Sequence, residues 1–230
     1  MLILAFETSA KAASVALHDG TKLLAESYQN TGLTHSQTLM VMAEDLLRQC
    51  GYGTGAVTHV AVAAGPGSFT GVRIGMAAAK GFAWAAELPI YGVSTLDAMA
   101  RQTALKGFYV CACMDARRNQ VYNAIFDATD DQLRRVSEDR AISLEDLKAD
   151  LQKLGTTILV GDGAELAYRN LDCGNLILLP EQSRQQRASG VAVVAAERIA
   201  AGEAPDGVDL TPNYLRLSQA EREKLEKMQK

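Results

Sequence analysis

The chain has 230 residues, 48% hydrophobic and 22% charged, which suits one large or two small globular units with a sizeable core. Its formal net charge of -4 argues against a protein that grips nucleic acid through a basic surface of its own. The four cysteines form no CxxC or Cys/His set, and Met1 leads directly into "LILAFE" with no basic leader. The apolar region 56–92 is interrupted by Gly65-Pro66-Gly67, Arg73 and Lys80, so the expectation is a reduced, cytoplasmic protein without a membrane span.

Residues 2–6 read as a buried strand. Two more strands, 12–18 and 22–28, flank Asp19-Gly20, a hairpin signal. Thr34 or Ser36 can cap a helix over 36–50, which Gly51, Gly53 and Gly55 then end. A strand over 57–63 leads through a glycine-rich turn into a helix over 70–86, followed by a short strand at 90–93 and a helix over 95–105. A second half begins near residue 107 with the strands "FYVCACMD" and "QVYNAIFDA" and a third within 132–139. A helix over 143–152, a strand at 157–161, a helix near 163–169, a strand at 175–179 and the apolar helix "VAVVAAERIAAG" complete it. Beyond Pro205 the chain reads as irregular, with a solvated helix expected from Ser218. The divisions are thus 1–106, 107–205 and a terminal segment, 206–230.

The halves echo each other. "ILAFETSAKAASVALHD" (3–19) overlays "CACMDARRNQVYNAIFD" (111–127) without a gap, each being strand, acid (Glu7, Asp115), polar turn and strand. This points to a duplicated α/β unit that starts antiparallel and continues parallel.

Two loops could carry chemistry. Glu7-Thr8-Ser9 ends a buried strand, where hydroxyls and backbone N–H groups can take a phosphate and the carboxylate a magnesium ion. Equally, Thr8 and Ser9 can bond the local backbone. Gly65, Gly67 and Ser68 lie between a strand and a helix N-terminus, an anion-binding arrangement, although the spacing is neither a Walker A loop nor a dinucleotide fingerprint. The alternative is that these glycines serve close strand-to-helix packing. His18 and His59 lie in strands without a second ligand at metal-binding spacing, so no metal site is expected. No nucleophile with its base can be picked out, which argues against a peptidase.

The helix over 70–86 is apolar around most of its circumference, with Arg73, Lys80 and Glu87 on one narrow side. Leu39, Met40, Met42, Ala43, Leu46, Leu47 and Cys50 spread over about 160° of the preceding helix. Both stripes exceed what one sheet covers, so either the second half or another protein must cover them.

"GPGSFTGVRIG" (65–75), "LPIYGVSTLDAMA" (88–100), "MDARRNQVY" (114–122) and "PNYLR" (212–216) resemble the TsaB (YeaZ) family, in order and over nearly the whole chain. The resemblance implies the fold of the actin, Hsp70 and sugar-kinase superfamily: two ribonuclease-H-like halves, each a mixed sheet with flanking helices. It implies a part in making threonylcarbamoyladenosine at position 37 of tRNAs that read ANN codons. It further implies catalysis in a paralogue, TsaD, whose GVNHLEGH segment carries an HxxxH metal pair. Here the segment is "GVSTLDAM", with Thr95 and Met99 at the histidine positions, a set unsuited to a transition metal. Glu7 stands where many relatives have aspartate, and "VGDGAEL" (160–166) loosely resembles the superfamily's adenosine-binding turn.

The implied role is a non-catalytic partner that pairs with TsaD through the two apolar helices. TsaE, an ATPase, joins the pair; the chain alone homodimerises through an overlapping surface, and tRNA is met only through the complex. The implied contact residues are His35, Leu39, Met42, Ala43, Leu46, Val72, Gly75, Met76, Ala79, Phe82 and Ala83. No cofactor is required on this reading. The alternative is an ATPase or phosphotransferase holding ATP or ADP with Glu7, Thr8, Ser9, Gly65, Gly67 and Ser68.

Overall fold

The computed structural model describes residues 1–103 and 105–216. The first half contains β1 (Ile3–Glu7), β2 (Ala13–His18), β3 (Leu23–Gln29), α1 (His35–Gln49), β4 (His59–Gly65), α2 (Phe69–Ala85), β5 (Ile90–Ser94) and α3 (Thr95–Thr103). The second contains β6 (Phe108–Asp115), β7 (Gln120–Ala128), β8 (Arg134–Arg135), β9 (Arg140–Ser143), α4 (Leu144–Leu151), β10 (Thr157–Val160), α5 (Ala164–Asn170), β11 (Leu176–Leu178), α6 (Glu181–Arg184) and α7 (Ala188–Ala200). Of the third strand expected within 132–139 only the two-residue β8 forms; β9 follows it outside that span, and α6 is a short helix that periodicity did not signal. The helix expected from Ser218 lies outside the described residues.

The sheets repeat one topology. The first runs β3-β2-β1-β4-β5 and the second β8-β7-β6-β10-β11, with β9 also on β7. In each, the opening strands form an antiparallel run (β1-β2-β3; β6-β7 with β8 and β9) and the last two strands join the first strand's other side in parallel. Glu7 pairs with Ser14, but Asp115 pairs with Val121. The second turn is therefore one residue shorter, and the ungapped overlay slips by one along the second strand.

β1 and β4 are almost wholly buried because helices cover both faces of the first sheet, which is why they read as continuous apolar runs. Leu4, Phe6, Val15, Leu17, Val60 and Val62 face α1 and α2. The opposite face, Ile3, Ala5, Ala16, Ala61 and Ala63, is small, and α7 lies on it through Ala188, Val191, Ala192 and Ala195. Ser14 Oγ accepts from Ala188 N at 2.7 Å and so caps α7 on the first sheet.

The helices therefore cross the expected division. α7 belongs by sequence to 107–205 but completes the first half. α3 belongs to 1–106, yet Leu96, Met99 and Ala100 pack on Val110, Ala112, Phe126 and Ile158 of the second sheet. The terminal segment also returns to the first half, where Leu210 enters the core beside Ile90. The reason is that α7 is apolar on nearly every side, so its pattern does not say which sheet it covers.

Residues 1–106 expressed alone lack α7 and bare the Ile3, Ala5, Ala16 and Ala61 face. That fragment should show no cooperative thermal transition by circular dichroism. A sharp melt would contradict the crossed arrangement.

Candidate functional site

The two helices singled out by their width lie on one face of the first sheet. Leu39, Met42, Ala43, Leu46, Val72, Gly75, Met76, Ala79 and Ala83 are all buried within the chain itself. These residues, expected at a partner contact, thus face inward; only His35 and Phe82 of that set are partly exposed, and His35 Nε2 lies 3.0 Å from Ala10 O. Leu39, Met42, Ala43, Leu46, Met76, Ala79 and Ala83 pack in the core of the first sheet, and Gly75 abuts Thr8 of the β1–β2 turn. The most apolar stripe of each helix goes to the nearest apolar surface, which is the chain's own.

The outward side of α2 is different. It presents Ala77, Gly81, Trp84 and Ala85 in the open and Ile74 and Ala78 half-buried, with no charged residue among them. Trp84 is 81% exposed, and Val41 on α1 is 56% exposed. The charges of α2 stand to one side and are engaged. Arg73 Nε donates to Tyr214 Oη at 2.6 Å, and Lys80 Nζ donates to the carbonyls of Val208 and Leu210 at 2.7 and 3.0 Å. Trp84 is not among the expected contact residues, because one exposed aromatic among alanines has no periodicity of its own.

The first turns of α2 press on the β1–β2 turn. Ser68 caps the helix through Gly71 N at 3.2 Å, and Thr8 Oγ1 donates to Gly71 O at 2.8 Å. A Cβ at Gly71 would strike the Thr8 carbonyl, and one at Gly75 would strike Thr8 Oγ1. Ser68 N donates to Ser9 O at 2.7 Å, and Ser9 N donates to Glu7 Oε1 at 2.5 Å. The two loops expected to receive a phosphate are therefore brought together, and many of their polar groups bond one another.

Between the halves lies a cleft of about 1010 Å³, lined among others by Ser9, Gly67, Thr70, Asp115, Asp162 and Tyr214. Glu7, two residues from Ser9 of the lining, is fully buried, and among the described residues neither its Oε2 nor Ser9 Oγ has a hydrogen-bond partner. Burial, aided by the nearby Asp162 charge, raises the Glu7 carboxyl from an ordinary 4.5 to about 7. Asp162 is raised as well, mainly by burial, while accepting from Gln186 Nε2 at 2.8 Å. Thr95 and Met99 lie on the buried side of α3, with Met99 packed in the second core. His18 Nδ1 accepts from Gly20 N, and His59 Nδ1 lies 2.8 Å from Thr58 Oγ1; neither faces the cleft. Among the described residues no three His, Cys, Asp or Glu side chains are gathered so as to hold a metal ion. None of the described helices is long and apolar enough to cross a membrane.

Two predictions follow from the packing. Gly71→Ala should destabilise the chain by about 1–3 kcal/mol through overpacking on Thr8. Gly81→Ala, whose Cβ meets nothing within 4 Å, should instead stabilise it by about 0.5–1 kcal/mol. Urea melts that order the pair the other way would contradict the geometry. For Glu7, the folded state holds the proton more tightly than the unfolded. Stability is then full below about 4.5 and falls as pH rises through about 7. The loss is on the order of 3 kcal/mol, and Glu7→Gln should remove that slope from a pH series of denaturant melts. An unchanged slope in the variant would contradict the assignment.

Comparison with known proteins agrees with this architecture. Residues 28–170 match the family model described as "TsaD: tRNA N6-adenosine threonylcarbamoyltransferase". The tRNA threonylcarbamoyladenosine biosynthesis protein TsaB of Bacillus subtilis is 31% identical, covering 98% of this chain and 99% of that protein. Among solved structures, YeaZ from Pseudomonas aeruginosa superposes with a TM-score of 0.81 at 27% identity, over 93% of this chain and 99% of that one. An ADPNP-bound activator of 2-hydroxyisocaproyl-CoA dehydratase from Clostridium difficile, at TM-score 0.50 and 10% identity over 88% of this chain and 97% of that one, shares the fold alone. The paired mixed sheets with flanking helices form the actin/Hsp70/sugar-kinase-like fold expected of it, and this chain belongs to the TsaB (YeaZ) family of tRNA threonylcarbamoyladenosine biosynthesis proteins.

Proposed function

We propose that the chain is a non-catalytic subunit in threonylcarbamoyladenosine formation, acting by docking a TsaD-type transferase on the outward face of α2. The observation that carries this reading is the uncharged strip Ile74–Ala77–Ala78–Gly81–Trp84–Ala85 on a helix whose inner face is already buried. Small residues let a partner helix approach closely, and an exposed tryptophan beside them is the usual centre of binding energy. A specific pairing would bury about 1,200–2,000 Å² in total, so Met40 and Val41 of α1 would extend the contact.

Two further points support a binding role. The match to the transferase family model spans α1 to α5, so the transferase is a paralogue expected to present comparable helices. At Thr95 and Met99, where the transferase motif has its histidine pair, this chain has a buried hydroxyl and a buried thioether on the inward side of α3. In this reading no nucleotide is required, TsaE joins the assembled pair, and tRNA is reached through the partner. Without TsaD, the same uncharged face is covered by a second copy of the chain.

The test is reconstitution: threonylcarbamoyl transfer to tRNA should need both this chain and its cognate transferase, and Ala77→Arg should abolish the requirement's fulfilment. That variant should weaken pairing by about thirty-fold or more, measured by calorimetry, while its melt shifts by no more than about 0.5 kcal/mol. Gly75→Arg is unsuitable, since Gly75 abuts Thr8 inside the chain. Full transfer activity with Ala77→Arg would overturn the reading.

A further inference from the structure

The described part of the terminal segment, residues 206–216, runs from the end of α7 across the first half to the cleft mouth. It is tied along its length. Asp206 N donates to Ile90 O at 3.0 Å, Lys80 holds the carbonyls of Val208 and Leu210, and Leu210 is buried. Asn213 N donates to Ala64 O at 2.7 Å, at the end of β4. Tyr214 stacks on Phe69 with ring centres 4.7 Å apart, and the Arg73 guanidinium lies 3.9 Å over the Phe69 ring. At the far end Arg216 Nη1 donates to Ala116 O at 2.6 Å, and Ala116 belongs to the β6–β7 turn of the second half.

That turn is unusual. Arg117, Arg118 and Asn119 all have positive φ, of 65°, 56° and 56°. Arg117 and Arg118 each cost roughly 1–2 kcal/mol there, while Asn119 adopts the region more readily, so the run persists only where surrounding contacts hold it. Asp115 Oδ1 accepts from Arg117 N at 2.7 Å from one side, and Arg216 grips Ala116 from the other. The cleft is lined by Asn213, Tyr214, Leu215 and Arg216 together with both turns.

We propose that residues 210–216 are a built-in tie between the halves: a strap of the chain's own backbone lies across the cleft mouth, and Arg216 is its clasp on the left-handed turn. The strap does by covalent attachment what a bound ligand in such a cleft would do by contact, fixing the second half against α2 and the first sheet. It does not rest on the docking reading, because it uses a different side of α2, the one carrying Arg73 and Lys80, and needs no partner.

Amide hydrogen exchange on the full chain tests it. Arg216→Ala removes a charge-assisted hydrogen bond and should speed exchange at Ala116–Gln120, and at Asn213, on the order of tenfold. Tyr214→Ala, whose ring packs on Phe69 and Arg73 of the first half, should speed the same turn, because the strap transmits the loosening. The strands β6 and β10 should exchange as in the parent chain, which separates a released tie from a failed fold. If the 116–120 turn keeps its parent rate in both variants, or if faster exchange stays within 213–216, the strap is not a tie and the proposal falls.

Discussion

The seat of α2 on the β1–β2 turn sets everything else in place. Thr8 bonds the carbonyl of Gly71, and the absence of side chains at Gly71 and Gly75 lets the helix lie against that turn. With this contact fixed, Val72, Met76, Ala79 and Ala83 must point into the chain, and Ala77, Gly81 and Trp84 must point out. Arg73 and Lys80 then fall on the third side, where the terminal segment lies against them. One helix thus gives one side to the core, leaves an uncharged strip exposed, the side proposed to dock the transferase, and holds the terminal segment on its third side. Its three flanks are told apart by residue size and charge more than by hydrophobicity.

Much of the fold was legible. Strands over 108–115 and 120–128 end where the pattern put them, and α1 and α2 are each displaced by only a residue. The repeated strand–acid–turn–strand unit was visible because each half must bury its first two strands on both faces. The one-residue difference between the turns was not, since a shortened polar turn leaves no mark on hydrophobic periodicity. Nor was the crossing of α3 and α7. A helix like Ala188–Ala200, small and apolar all round, fits either sheet, and only the complementary alanines of β1, β2 and β4 decide.

The site was half legible, and the reason is instructive. A helical wheel measures how wide an apolar stripe is, not which part of it the sheet will take. Leu39, Met42, Val72 and Met76 looked suited to an interface because they are the most hydrophobic, and for that same reason the core claims them. The small residues left outside look inert in a sequence. The two candidate phosphate loops do lie side by side, but Ser9, Ser68 and Thr8 largely engage one another and α2. "MDARRNQVY" and "PNYLR" stood out only through family resemblance; their meeting at Ala116 and Arg216, a hundred residues apart, is a tertiary fact.

The central claim is that the outward face of α2 is covered when the chain meets its transferase. Trp84 is the chain's only tryptophan and reports on that face directly. With 5-fluorotryptophan incorporated in this chain alone, its fluorine resonance should shift on adding unlabelled TsaD and lose the sensitivity to deuterated water that marks an exposed ring. A complex that forms while the resonance and its solvent sensitivity stay unchanged would contradict the account.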